Sequence, residues 1–298
     1  MIKKKPILGI IGGSGLYKLK GLSNHNWTSV ATPFGKPSDK ILKAKYKNLE
    51  VMFLPRHGSN HSISPNKINY RANIFALKKL GVTDIISVSA VGSLKKVHKP
   101  GDFLLVDQFI DRTLNRERTF FNDDLVAHVS LANPISKKLA KLIYDSSNRK
   151  QRVKFGGTYI AIDGPQFSTY AESLLFKSWG CDVIGMTNMP EARLIREAEI
   201  GYASISMVTD FDCWHKSHSD VTVEQVLEVM LNNNNKAQTL LISFFDRISK
   251  LKMWDWKDPI YNNLNTSIIT NINKVNKKTL KKLNPILKRF LHHKKTFI

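Results

Sequence analysis

Apolar residues in this chain come in short unbroken runs, and each run stops at a glycine or a turn residue. Ile7–Ile11 (ILGII) stops at Gly12-Gly13-Ser14-Gly15, and Val51–Leu54 (VMFL) at Pro55-Arg56-His57-Gly58. Asp84–Val91 reaches Gly92, and Tyr202–Thr209 reaches Asp210 and Asp212. Phe103–Gln108, Thr158–Ile162 and Asp182–Met186 repeat the pattern. Runs of this length bounded by turn residues predict strands buried on both faces. Between them lie stretches with apolar positions three and four apart, the spacing of one helix face. These predict helices over Ile68–Leu80 (stopped by Gly81), Pro134–Asp145, Ala171–Trp179 and Pro190–Glu199. Thr222 to Gln225 has capping-box spacing and opens a helix to about Met230. A separate helix is predicted over Ala237–Lys250. Residues 251–298 break the pattern: they are polar, Asn-rich and basic, with one weak helix near Pro285–His292. Removing about the last ten residues is expected to leave the fold intact, because polar termini seldom pack.

Strands alternating with helices define an α/β fold. The expectation is a single catalytic domain over 1–250, with a central mixed, twisted sheet surrounded by helices, and a divergent basic extension over 251–298. In such folds ligands sit beyond the C-terminal ends of the strands. That rule gathers Ser14, Arg56, His57, Ser89, Thr187, Asp210 and Asp212 at one crevice, although they come from separate segments.

Composition changes this picture little. Of 298 residues, 42% are apolar and 23% charged, an ordinary globular balance. No run of about 18 apolar residues exists, so no membrane-spanning helix is predicted. The lysine-led start is too short for a signal peptide and lacks a cleavage pattern, which points to the cytoplasm. Two cysteines, Cys181 and Cys213, with no metal-ligand spacing, fit a reducing compartment. The net charge of +22 raises the question of nucleic acid. Yet the lysines are scattered and not interleaved with aromatics, which favours a solvated basic surface that attracts anionic ligands.

The opening loop fails two phosphate motifs. G-x-G-x-x-G would need glycine at Lys18, and a P-loop counted from Gly9 would need it at Ser14. A tight Gly-Gly-Ser-Gly turn can still hold an anion on its N–H groups, or it can be a plain strand-to-loop turn. Arg56 can offer a bidentate fork to phosphate or form a structural ion pair. Asp210 and Asp212 can face the crevice or cap local backbone. No histidine pair has metal-ligand spacing, so no metal site is expected. Gly13-Ser14-Gly15 is not a hydrolase nucleophile elbow.

Taken together, these segments resemble the trimeric class of purine nucleoside phosphorylases, and within it the branch acting on 5'-methylthioadenosine. The matching stretches are GIIGGSGLY (9–17), TPFGKPSD (32–39), PRHG (55–58), NYRANIFALKKLG (69–81), SAVGSL (89–94), PGDFLLVDQFIDRT (100–113), DGPQFST (163–169), AESLLFKSWGCDVIGMTNMPEA (171–192) and TDFDCW (209–214). They cover most of residues 5–250 in the family's order.

The resemblance implies a nucleoside phosphorylase-like fold and inorganic phosphate as co-substrate, with no metal or organic cofactor. It implies a phosphate site of Ser14, Arg56, His57, Ser89, Ala90 and Thr187. It makes Phe167, Ile184 and Met186 the purine and ribose walls, and Asp210 and Asp212 the acids that read the base and serve catalysis. It assigns His128, Val223 and Val226 to a 5'-methylthio pocket, with His128 supplied by a neighbouring subunit of a homotrimer. Serine stands at 14 where threonine is common, Gln166 where arginine is frequent, and Gly185 where some members carry asparagine. The products implied are adenine and 5-methylthioribose 1-phosphate, the chemistry of methionine and purine salvage. Alternatives are a 6-oxopurine or methylthioinosine phosphorylase, a nucleosidase that uses water, and a non-catalytic basic nucleic-acid binder.

Overall fold

Four strands whose side chains are almost all buried form the heart of the molecule. They are β1 (Ile7–Gly12), β4 (Leu49–Pro55), β5 (Asp84–Ser93) and β11 (Gly201–Asp210). In the computed structural model, which describes residues 5–17, 19–215 and 223–295, they lie side by side in parallel in the order β4-β1-β5-β11. The side chains of Ser14, of residues 223–226 and of residues 293–295 lie outside the description. Parallel strands covered on both faces need continuous apolar sequence, which explains the unbroken runs.

The rest of the sheet is mixed. β2 (Leu22–Thr28) and β3 (Ile41–Tyr46) add antiparallel to β4 and form one edge. β10 (Val183–Gly185) pairs antiparallel with the last residues of β5 and parallel with β9 (Thr158–Ala161). β7 (Gln108–Asp111) follows β9, while β6 (Phe103–Val106) joins β11 to β8 (Val153–Phe155). The run Phe103–Gln108, expected as one strand, is thus two: the chain leaves β11 at Asp107 and re-enters the sheet beside β9. β2 was not expected, because its sequence LSNHNWT has no apolar alternation and its residues are largely exposed.

Helices cover the faces: α1 (Tyr70–Lys79), α2 (Lys137–Tyr144), α3 (Tyr170–Ser178), α4 (Asn188–Glu197) and α5 (Val223–Lys250). Asn69 caps α1 by accepting from the Ala72 N–H at 3.0 Å. Thr169 and Glu172 form a reciprocal capping box on α3. The box expected at Thr222 falls outside the described residues.

Two expectations need correction. The helices predicted to Met230 and from Ala237 are one helix of 28 residues. The gap between those two helices holds Asn232–Asn235, residues of low helix propensity. Tertiary contacts override that propensity: Asn233 is fully buried, and its Nδ2 donates to the Val208 carbonyl at 3.0 Å. The second correction concerns the tail, which includes α6 (Leu264–Ser267), α7 (Lys277–Lys282) and α8 (Asn284–Lys295). Trp254, Leu264, Val275, Leu283, Ile286, Leu287 and Phe290 belong to the same core as the central strands. Arg289 grips the buried Glu199 carboxylate through Nε and Nη2, each at 2.6 Å. Tyr261 donates to Asp84 at the start of β5 at 2.7 Å. The last ten residues therefore include packed ones. Their apolar positions are too sparse for periodicity to reveal them.

Candidate active site

A cavity of about 390 Å³ opens at the C-terminal ends of β1, β4, β5, β10 and β11. Each of these strands delivers its next few residues to the wall. Gly13 and Leu16 come from the loop after β1, and Arg56, His57, His61 and Pro65 from the loop after β4. Val88–Gly92 come from the end of β5, Gly185–Thr187 from the end of β10, and Thr209, Asp210 and Asp212 from the end of β11. Phe167 and Ser168 close one side, and Leu227, Met230 and Asn234 of α5 close another.

Arg56 is only 2% exposed, and most of its hydrogens have partners within the chain. Nε donates to Glu191 Oε2 at 3.1 Å, and Nη2 faces Oε1 at 3.4 Å. Nη1 donates to the Val88 carbonyl at 3.1 Å, and Nη2 also meets the Ile11 carbonyl and Ser87 Oγ. Burial opposes the guanidinium's charge, but the Glu191 carboxylate outweighs it and raises the pKa. Of the two readings open for Arg56, the bidentate fork goes to Glu191. At most one Nη1 hydrogen remains for a ligand. Tyr202 donates to Glu191 Oε1 at 3.1 Å and completes this buried cluster.

His57 lies next to it. Its Nδ1 is 2.8 Å from the Ile63 carbonyl, an acceptor, so Nδ1 carries the hydrogen and Nε2 holds the lone pair. Burial, and then the neighbouring Arg56 charge, lower its pKa to about 4. Its ring stacks on His61, with centroids 4.5 Å apart. Ser89 is buried, and its Oγ is 3.5 Å from Asn188 Oδ1. The Thr187 N–H donates to Tyr159 Oη at 3.3 Å.

Gly185 has a steric reason. A Cβ there would lie 2.1 Å from Tyr159 Oη, so no side chain fits while Tyr159 is in place. Gly92 is similar: a Cβ would meet Asp210 Oδ1 at 2.9 Å and Ile184 Cγ2 at 3.1 Å.

The acids come from the end of β11. The β11–β5 register slips between Val208 and Asp210, and this bulge re-aims Asp210 at the cavity. Asp210 Oδ1 accepts the Asp212 N–H at 2.8 Å, and Oδ2 lies 2.7 Å from Thr209 Oγ1. Burial raises the Asp210 pKa, while the Thr209 hydroxyl and the Asp212 N–H hold it down. Asp212 has φ +45°, and its carboxylate accepts from the fully buried Ser173 hydroxyl. Burial, opposed by Ser173 and aided by the Asp210 charge, lifts Asp212 to about 6. Neither acid has a salt-bridge partner among the described residues.

Of the residues proposed from the sequence, Arg56, His57, Ser89, Ala90, Phe167, Ile184, Met186, Thr187, Asp210 and Asp212 line this one cavity. His128 does not. It sits in the β7–α2 connection, where its N–H donates to the Ser267 carbonyl at 2.8 Å. Ser14, Val223 and Val226 have side chains outside the described residues. His61, Thr209, Leu227, Met230 and Asn234 were not anticipated. The last three sit at i, i+3 and i+7 of α5, a helix face visible in the sequence but not assignable to a site from it. Among the described residues no group of three or more potential ligands could hold a metal ion.

The pocket at the strand ends of this α/β sheet is lined by hydroxyls, glycines and backbone N–H groups together with a pair of carboxylic acids, the kind of site found in α/β enzymes. The model of the phosphorylase superfamily matches residues 7–246. The chain is 48% identical over 292 residues to the S-methyl-5'-thioadenosine phosphorylase of Rhodospirillum rubrum, covering 97% of this chain and 98% of that one. A crystal structure of a methylthioadenosine phosphorylase from an Antarctic soil metagenomic library superposes with a TM-score of 0.87 at 39% identity, covering 96% of this chain and 100% of that one. The Schistosoma mansoni methylthioadenosine phosphorylase in complex with adenine matches with a TM-score of 0.79 at 36% identity, over 87% of this chain and 96% of that one. The chain belongs to the phosphorylase superfamily.

Proposed function

We propose that this enzyme cleaves S-methyl-5'-thioadenosine with inorganic phosphate, giving adenine and 5-methylthioribose 1-phosphate. The observation that carries the reading is that the pair Asp210–Asp212 lines one cavity together with His57, Ser89, Ala90 and Thr187. Phosphate is held at the cradle by the hydroxyls, backbone N–H groups and the remaining Arg56 hydrogen, with the Ser14 loop beside it. A phosphate oxygen attacks ribose C1' as the C1'–N9 bond breaks, and its negative charge stabilises the cationic ribosyl ring. The electron pair of that bond leaves on the purine. Asp210 supplies a proton at N7 and accepts a hydrogen bond from the N6 amine, with Asp212 in support. The raised pKa of both acids favours the protonated form this step needs. Phe167, Ile184 and Met186 form the apolar walls around ribose and base.

A carboxylate has no N–H to offer an O6, so the acid pair argues for 6-aminopurines. Val223, Val226 and a neighbour's His128 surround the methylthio group in a homotrimer. Support comes from the position of His128 outside its own chain's cavity, and from Tyr170, Leu174, Leu175 and Trp179 standing exposed along α3. We place the reaction in the cytoplasm, consistent with two free cysteines and with no described helix long and apolar enough to cross a membrane. Phosphate is consumed as a substrate, and no metal or organic cofactor takes part. The test is adenine release from methylthioadenosine with and without phosphate. Release that ignores phosphate would make the protein a hydrolase and overturn the reading.

A further inference from the structure

Arg116 does not line the cavity, yet its guanidinium is the most heavily bonded group beside it. The side chain is 3% exposed and lies on the segment after β7. Nε donates to Asp163 Oδ1 at 3.1 Å, and Nη2 to the Asp163 carbonyl at 2.7 Å. Nη1 reaches the carbonyls of Met186 at 2.7 Å and Met189 at 2.8 Å. It also reaches Tyr70 Oη at 3.0 Å, and Tyr70 in turn donates to the Pro65 carbonyl at 3.0 Å. One planar group thus ties together three segments that lie far apart in sequence. The first, after β9, carries Phe167. The second, after β10, carries Met186 and Thr187. The third, after β4, carries His57 and Pro65.

We propose that Arg116 is a positioning residue that sets the phosphate-holding walls at the correct distance from the nucleoside-holding wall. The inference rests on the proposed reaction. Each half of the site has its own internal contacts, so each can bind its ligand alone. The distance between the attacking oxygen and C1' depends on how the halves are held together. A loss of registry of about 1 Å can cost about 10²-fold in rate with little loss of binding. Lysine cannot replace this function, because an ammonium lacks the planar fork that reaches five acceptors.

The experiment compares wild type, Arg116→Ala, Arg116→Lys and the milder Tyr70→Phe, which keeps the ring under Arg116 and cuts only the arm to Pro65. The measurements are kcat for phosphorolysis, binding of adenine alone and phosphate alone, and amide hydrogen exchange. We expect kcat to fall about 10²-fold in Arg116→Ala and less in Tyr70→Phe, while each ligand binds within about tenfold of wild type. Added methylguanidinium should recover part of the rate in Arg116→Ala, and exchange should quicken in 162–168 and 184–189 together. Should Arg116→Ala fail to fold, Arg116→Lys and Tyr70→Phe decide the matter. Wild-type kcat in a folded variant, loss of binding in proportion to rate, or unchanged exchange in both loops overturns the positioning role. Wild type that releases no adenine with phosphate overturns the proposed function instead, and the exchange result still decides for or against Arg116.

Discussion

The two ends of the cavity handle charge in opposite ways. At the end where we propose that phosphate binds, Arg56 is already neutralised by the buried Glu191, and His57 is kept neutral by burial. Where we propose that the base binds, two carboxylic acids sit two residues apart with no cation paired to either among the described residues, and both are pushed toward the protonated form. In the proposed reaction the anion is therefore received mainly by directed hydrogen bonds from a nearly neutral frame. In that reaction the leaving group meets two acids whose pKa values are both raised by burial. A frame whose charges are already matched can release a phosphorylated product, whereas a bare buried arginine would hold it tightly. The protein's large net positive charge helps bring anions to the surface but is not what fills the site.

The largest effect should come from breaking the neutral frame. Arg56→Ala removes a phosphate donor and also strands Glu191 in the interior. Breaking a buried pair costs about 3–5 kcal/mol of stability, so the melting temperature should drop, and loss of the donor should lower kcat/KM for phosphate by about 10²–10³-fold. Glu191→Gln keeps the shape but frees the Arg56 charge. It should tighten phosphate binding and slow release of the sugar phosphate, as read by binding and pre-steady-state kinetics. Normal phosphate binding in both variants would mean the anion sits elsewhere.

Next in size is the base end. Asp210→Asn keeps the hydrogen-bonding frame but has no proton to give, and acid catalysis of this kind is worth about 10²–10⁴-fold. Methylthioadenosine turnover should fall in that range. The ratio of kcat/KM for methylthioinosine to that for methylthioadenosine should rise, because an amide can donate to O6. An unchanged ratio would remove Asp210 from base reading.

A smaller effect separates the two acids. The Asp210 charge helps to raise Asp212, and coupling of this kind acts in both directions. Asp212→Asn should therefore lower the Asp210 pKa and shift the alkaline limb of the pH–rate profile down by up to about one pH unit. Ser173→Ala removes the hydroxyl that stabilises the Asp212 carboxylate, so Asp212 is charged less often and the same limb should move down by a smaller amount. Shifts of opposite sign in the two variants would contradict the arrangement.

The smallest effect concerns stability, and here the two ends carry opposite signs. Asp212 holds a proton in the folded state up to about pH 6, while the unfolded group loses it near 3.8. Its contribution is full below the lower value and is lost as pH rises to the higher one. His57 resists protonation in the folded state down to about pH 4, against 6.5 unfolded. Its contribution is full above the higher value and is lost as pH falls to the lower one. Each is worth about 3 kcal/mol at the limit. Asp212→Asn should tilt unfolding free energy upward with pH between about 4 and 6, and His57→Gln should tilt it downward. Denaturant melts across that window would show equal slopes in both variants if the ends were electrostatically alike.

The central frame was legible in the sequence because parallel strands buried on both faces must be apolar without interruption, and because the residues after each strand end are the ones that meet the ligand. Ile7–Ile11, Val51–Leu54, Asp84–Val91 and Tyr202–Thr209 announced themselves in this way, and with them Arg56, His57, Ser89 and Asp210. Family resemblance added Phe167 and Met186, whose surroundings carry no local signal. Tertiary structure alone decided the rest. The continuity of α5 through four asparagines depends on the bond from Asn233 to Val208, 25 residues away. The packing of the tail depends on Glu199 meeting Arg289, 90 residues on. Whether Arg56 pairs with phosphate or with Glu191 was open until a carboxylate 135 residues away was placed beside it. Local sequence specifies what a segment can bury and where it must turn. Which charges are compensated, which protons are held and which loops are tied together depends on partners brought from far along the chain, and periodicity carries no record of those meetings.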